Sequence, residues 1–447
     1  MTRFFVSVVV VALFETAAGA QGVPVDDPNS ITIASFDPDN AVAPVSAVEG
    51  PGVKIGEGTV LRPVIGLETG YDSNVFYQQT SPQGSALLRL LAQVGTGSLS
   101  APRLENADET APQTTDVGDF QYRADVRASY DLVLSGNEAV SGTGGLGLGA
   151  SLHGLANPMG RWSFGIDEDF LRLIRAANFE TDANTNRDLN NLTLRVIYHP
   201  SDHSLGGYLY YNNTVDIFER SSQNFANRMF NRVGIHPTWQ WLPQTQIYAD
   251  VSEAIVAGIS TPSGGVPGKV TSYPLTALAG IATLFTLKTT FNVFGGYTNG
   301  FYSSGPNFSA PVIGAALGYR YSPLGRVTLQ YQLQYQDSVN ANYYRDHVLQ
   351  LSLQQIYSPV ILMVQPEVHF REYNGVNVVM GPPTRDDVIY AVVAGIHYSL
   401  KSRLAATLDY RFSAVQTDYR YMPIGGGTVE DPSYIRHEVM LGMRLAL

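Results

Sequence analysis

The sequence predicts an all-β protein: a single transmembrane, antiparallel, up-and-down β-barrel of about eighteen strands. Three observations carry that prediction. Apolar and polar residues alternate with period two from residue 57 to the last residue. The connections alternate between tight turns and longer polar loops. The chain opens on an export leader.

The leader comes first. Arg3 supplies a positive n-region, Phe4 to Phe14 an apolar core, and Ala18-Gly19-Ala20 a small-residue cleavage site, with cleavage expected after Ala20. That apolar run is too short for a spanning helix, which needs about 20 residues, and no later run reaches that length. Residues 1–20 therefore read as a signal peptide, 21–56 as a periplasmic tail and 57–447 as the barrel. The tail carries Pro24, Pro28, Pro38, Pro44 and Pro51 among Asp26, Asp27, Asp37 and Asp39, with at most a short strand at Ile31–Ile33.

Composition agrees. A soluble chain of 447 residues would be expected to split into domains, yet no linker divides it after residue 60. Only 15% of residues are charged and 44% are hydrophobic, and mean hydropathy is −0.03. That balance suits strands greasy on one face and wet on the other. The 26 Tyr and 43 Gly suit aromatic girdles and curved strands. A net charge of −11 argues against a nucleic-acid partner, and the absence of Cys excludes disulfides and thiolate metal sites.

The strands follow in order. In 60–73 and 120–132 the alternation is regular; Phe120, Tyr122, Ala124, Val126, Ala128, Tyr130 and Leu132 oppose Gln121, Arg123, Asp125, Arg127, Ser129 and Asp131. The clearest case is 327–336, where Val327, Leu329, Tyr331, Leu333 and Tyr335 oppose Thr328, Gln330, Gln332, Gln334 and Gln336. Segments 360–371 and 404–413 repeat it, and 433–447 alternates to Leu447. Strands are also expected at 139–154 and 269–284, while 85–98 and 204–218 are ambiguous in face. Tight turns fall at 157–160, 199–203, 242–244, 322–325, 357–359 and 400–402, and long loops at 172–186, 258–268, 373–385 and 417–432. An even strand count puts both termini in the periplasm. The 99–117 join, long and acidic, then lies on the periplasmic side, where a tight turn is usual.

Leu61–Tyr77 (LRPVIGLETGYDSNVFY) pairs an alternating strand with a Gly70-Tyr71-Asp72-Ser73-Asn74 turn, and Tyr331–Asn340 (YQLQYQDSVN) is followed by Tyr343 and Tyr344. On these residues the chain resembles the β-barrel porin type 2 family, over residues 57–447. The resemblance implies an outer-membrane barrel, with some relatives tied to exopolysaccharide export. It carries over no catalytic residue.

The expected functional surface is the lumen. Its inward charges are Arg62, Glu68, Arg123, Asp125, Arg127, Asp131, Arg195, Arg232, Asp250, Arg320, Glu367, His369, Arg371, Asp409, Arg411, Arg436, Glu438 and Arg444, with the amide ladder Gln330, Gln332 and Gln334. Mixed signs read first as cross-strand braces and second as a path for polyhydroxylated solutes, whose hydroxyls amides and carboxylates can bond. Small residues at Gly145, Gly147 and Gly149 read as wall curvature or as room for another segment. No HExxH, GxxxxGK[ST] or GxSxG is present, so neither an enzyme nor a cofactor or metal is expected. The reading is an outer-membrane, porin-like channel for polysaccharide or other polar solutes. The alternative is a non-conducting barrel that serves as an envelope or adhesion scaffold. Expected partners are outer-membrane lipid and lipopolysaccharide, the barrel assembly machinery and periplasmic polysaccharide-export components.

Overall fold

A strand with one apolar and one polar face needs a matching solvent on each side, and a sheet in lipid can leave no edge unpaired. The computed structural model meets both demands. It describes residues 52–54, 60–97, 119–174, 186–200, 204–260, 268–376, 381–401, 403–422, 429 and 431–447. The leader, Ile31–Ile33 and the 99–117 join lie outside the described residues.

A two-residue strand, β1 (Val53–Lys54), precedes the wall. The wall begins with β2 (Val60–Asp72), β3 (Ser85–Gly97), β4 (Phe120–Leu134), β5 (Gly145–Ala156), β6 (Trp162–Leu173) and β7 (Arg187–Tyr198). It continues with β8 (Leu205–Phe218), β9 (Arg228–Leu242), β10 (Thr245–Gly258), β11 (Leu275–Thr286), β12 (Thr289–Asn299) and β13 (Ser309–Ser322). It ends with β14 (Gly325–Asp337), β15 (Tyr343–Tyr357), β16 (Val360–Asn374), β17 (Thr384–Lys401), β18 (Leu404–Thr417) and β19 (Tyr434–Ala446). Each strand pairs antiparallel with the next, and β19 pairs with β2 from Glu438↔Asp72 to Ala446↔Val64. Eighteen strands close without an edge.

One end of the barrel carries the two-residue turns 243–244, 287–288, 323–324 and 358–359 together with both ends of the wall. There β1 pairs with β2 (Val53↔Leu61) and the Gly52 amide donates to the Leu447 carbonyl at 3.1 Å. β3 ends at Gly97 and β4 begins at Phe120 on the same side. The longer connections gather at the other end.

Two strands start later than their periodicity predicts. The first residues of the expected 139–154 strand fall in one helical turn, Glu138–Ser141, with Asn137 Oδ1 accepting from the Ala139 amide at 3.0 Å. Its Val140 packs with Val75, Leu87, Val133 and Met440, so an apolar contact overrides the alternation and Ser141 and Thr143 leave the wall. The expected 269–284 strand begins only at Leu275, after Pro274, which has no amide to give the ladder. Lys269 is drawn instead onto the carbonyls of Ser338 and, at 2.9 Å, Ala341.

The outer face is apolar. Leu67, Val126, Phe164, Leu209, Val233, Leu329, Phe370 and Leu441 are all well exposed. At the short-turn end Trp162 and Tyr198 pack at 4.8 Å, and Trp239, Trp241, Phe285, Tyr319 and Tyr357 continue an aromatic row. A closed barrel with an apolar belt bounded by aromatics is an outer-membrane barrel.

The inner wall as candidate functional site

In an antiparallel ladder directly opposed residues share a face, so one inward residue assigns its whole row. On that rule every lumen residue named from the sequence lies on the inner face. Arg62 and Glu68 sit on β2, and Arg123, Asp125, Arg127 and Asp131 on β4. Arg195 is on β7, and Gln330, Gln332 and Gln334 are on β14. Glu367, His369 and Arg371 are on β16, Asp409 and Arg411 on β18, and Arg436, Glu438 and Arg444 on β19. Arg232, Asp250 and Arg320 face inward from β9, β10 and β13.

The structure gathers them unevenly. At the seam, Arg444 bonds Glu68 at 2.6 Å and lies 3.6 Å from Asp409. Glu68 also lies 3.6 Å from Arg89, which bonds Asp131 at 2.6 Å and approaches Glu438 at 3.7 Å. Arg436 bonds Glu438 and Asp72, each at 2.8 Å, and donates to the Tyr77 hydroxyl at 2.8 Å. This belt of carboxylates and guanidinium groups, nearly all buried, ties β18, β19, β2, β3 and β4 together. The loop after β2 folds onto it: Tyr77 packs with Ile389, Val415 and Tyr434, and the Asn74 backbone amide donates to Asp72 Oδ1 at 2.9 Å.

A second network joins β15 and β16, where Asp346 bonds His369 at 2.9 Å and Arg371 at 2.7 Å, and Gln350 donates to Glu367 at 3.0 Å. The Arg371 guanidinium also stacks 4.1 Å from the Tyr344 ring. Smaller pairs follow: Asp167 with His153 (2.9 Å) and Arg195, and Asp250 with His236 and the Tyr210 hydroxyl, each at 3.1 Å. Near the long-loop end Asp337 holds Arg228 at 2.7 Å and Lys269 at 3.0 Å, and Arg228 reaches Asp216 at 3.2 Å. Burial beside Asp337 raises the Tyr302 phenol far above its ordinary pKa, so it stays protonated and donates to that carboxylate.

The glycines on β5 are not empty space. A Cβ on Gly149 would meet Arg127 Nε at 2.6 Å, and one on Gly147 the Ser129 hydroxyl at 2.8 Å. Side chains of β4 lie flat over these positions, so curvature and cross-strand packing account for them.

Sequence reasoning missed Arg89, Asp72, Asp346 and Asp167. Segment 85–98 was ambiguous because Leu87 and Leu91 are apolar yet buried inward, beside the outward Leu90 and Val94. The usable signal was Arg89 itself, the one charge in that strand and opposite Asp131. Among the described residues no group of His, Asp and Glu has the arrangement of a metal site.

Against β9–β14, near the long-loop end, lies a small recess open to the lumen, with a cavity volume of about 70 Å³. Phe230, Leu278, Phe294 and Phe308 give it apolar walls, and Arg232, Thr298, Gln332, Gln334 and Asp337 give it polar groups. The buried Gln334 Oε1 accepts no hydrogen bond among the described residues.

Neither a family model nor a curated protein matches this chain. Solved structures do. A BenF-like porin from Pseudomonas fluorescens Pf-5 is 10% identical with a TM-score of 0.46, over 88% of this chain and 100% of that one. OccAB4 of Acinetobacter baumannii is 10% identical with a TM-score of 0.45, over 87% and 98%. The outer membrane protein opdK of Pseudomonas aeruginosa is 9% identical with a TM-score of 0.44, over 88% and 99%.

Proposed function

We propose that this chain is an outer-membrane channel for polar solutes and that its solutes are uncharged and polyhydroxylated, with passage of polysaccharide as the specialised form. The observation that carries the reading is the closed eighteen-strand wall with a polar inner face. Barrels of 16–18 strands leave an aqueous lumen. The solute class follows from which polar groups are already engaged. Asp337, Glu68, Asp131 and Asp346 are held by guanidinium or ammonium groups. The amides Gln332 and Gln334 stand in the recess beside Phe294 and Phe308. A sugar ring offers hydroxyls at its edge for amides and C–H faces for aromatic rings. The resemblance of Leu61–Tyr77 to barrels tied to exopolysaccharide export supports the same class, with the 99–117 join as a dock for periplasmic export components.

Planar-bilayer recording of the purified protein tests this. Stepwise conductance that maltotriose reduces saturably, and glucuronate does not, is expected. Absence of any conductance would favour the scaffold reading. The inward-folded loop, with Val75 and Tyr77 buried against the inner wall, is the feature that favours that second reading.

A further inference from the structure

Across most of the wall the outward rows are apolar. Outward charges on β15–β17, namely Arg345, Glu372 and Asp386, stand two residues from a strand end at the long-loop side. One sector departs from this. On β6 the outward row reads Trp162, Phe164, Ile166, Glu168, Phe170, and Glu168 faces Leu152 on β5 and Leu192 on β7. Its height follows from strand geometry. Six residues above Trp162, at about 3.3 Å each and tilted about 40°, it stands roughly 15 Å up a belt about 25 Å tall.

The same register row, which climbs toward the long-loop end as it crosses the tilted strands, continues to Asn213 on β8 and Asn231 on β9. Asn231 Oδ1 accepts from the Tyr211 hydroxyl at 2.8 Å and from Asn213 Nδ2 at 2.9 Å, and its own Nδ2 donors enter neither bond. Asn190 on β7 and Glu253 on β10 face outward beside them.

Hydrocarbon offers a carboxylate and a carboxamide no partner, so polar residues in the belt belong against protein. We propose that the outer face of β6–β9 is the contact between copies of this chain, which assembles as a homo-oligomer about an axis along the membrane normal. Such an axis brings equal heights of neighbouring copies together. The Glu168 carboxylate then accepts from the Asn190 amide of the neighbouring copy, which by the same count stands only about 5 Å higher, within reach of the two side chains. A carboxylate and unused amide donors are complementary, whereas the fatty acyl chains that cover the other sectors match neither.

The chain has no Cys, so single cysteines report the contact directly. Leu194→Cys, outward on β7, and Leu329→Cys, outward on β14, would each be reconstituted in nanodiscs and treated with a short bis-maleimide. Covalent dimers with Leu194→Cys and none with Leu329→Cys are expected, with native mass spectrometry reporting more than one copy per particle. A monomer, or equal cross-linking at both sites, overturns the proposal. Asn190→Leu should weaken association about tenfold or more, which corresponds to about 1.4 kcal/mol, while heat-modifiable gel mobility still reports a folded barrel. Undiminished association of that folded variant overturns the role given to the polar row.

Discussion

At the seam, from β18 through β19 and β2 to β4, the inner face carries Glu68, Asp72, Arg89, Asp131, Arg436, Glu438 and Arg444 within a few ångströms of one another. Across β11–β13 the same face carries Leu278, Gly280, Ala282, Phe294, Val312 and Gly314, with Arg320 as its one charge near the short-turn end. Both regions are inner wall of one barrel, and both present the same apolar outside. The seam holds its strands by charge pairing across the ladder. The β11–β13 region holds them by laying large side chains over glycines: the Tyr248 ring lies against Gly280, and the Phe294 ring against Gly314. A water-facing wall can thus be braced in two ways, and only the second leaves smooth, uncharged surface beside the recess.

The largest expected effect falls at the seam. Arg444→Ala leaves the fully buried Glu68 without its closest guanidinium, and stripping one partner from such a pair costs about 3–5 kcal/mol. Urea unfolding in detergent micelles should show it, while Thr290→Val on the β12 inner face should cost far less. Equal losses would erase the distinction between the regions.

The outer face should not distinguish them. Leu441→Arg on β19 and Leu317→Arg on β13, both exposed outward, should each cost about 2–4 kcal/mol near the midplane. A clear inequality between the two would mean that one of these sectors is covered by something other than lipid.

Gly280→Val probes the second kind of bracing. Its Cβ would stand 2.4 Å from the Tyr248 ring and 2.8 Å from the Val293 carbonyl oxygen, so overpacking should cost about 1–3 kcal/mol. If Tyr248→Ala relieves that loss in the double variant, the ring-over-glycine contact is the cause. An unrelieved loss would point to the backbone clash alone.

The smallest effect is expected at Gln330→Leu, whose side chain faces the lumen. Stability should move by no more than about 0.5 kcal/mol, and thermal melting should be unchanged within that limit. A large loss would place Gln330 in a brace like those of the seam.

The strands, and the facing of all but a few such as 85–98 and 204–218, were legible because a barrel wall separates two solvents, and each residue's class records which one it meets. Val327–Gln336 states this alone: apolar at odd positions, amide or hydroxyl at even ones. Residues 139–144 were misread for a local reason. A capped helical turn with one apolar residue, Val140, mimics alternation over so short a stretch.

Period, turn spacing and the termini thus come from local chemistry, and from them alone the chain is a closed barrel with a polar inside. Partner identity is not local. Arg436 meets Asp72 across 364 residues because β19 closes on β2 in a particular register, and a slip of two residues would keep every facing while changing every pair. The same holds outside: Glu168 sits on an apolar row by ordinary alternation, but only the ladder puts it in register with Asn213 and Asn231. Facing is fixed by period two, residue by residue. Which groups meet depends on register and closure, and those are decided by all eighteen strands at once.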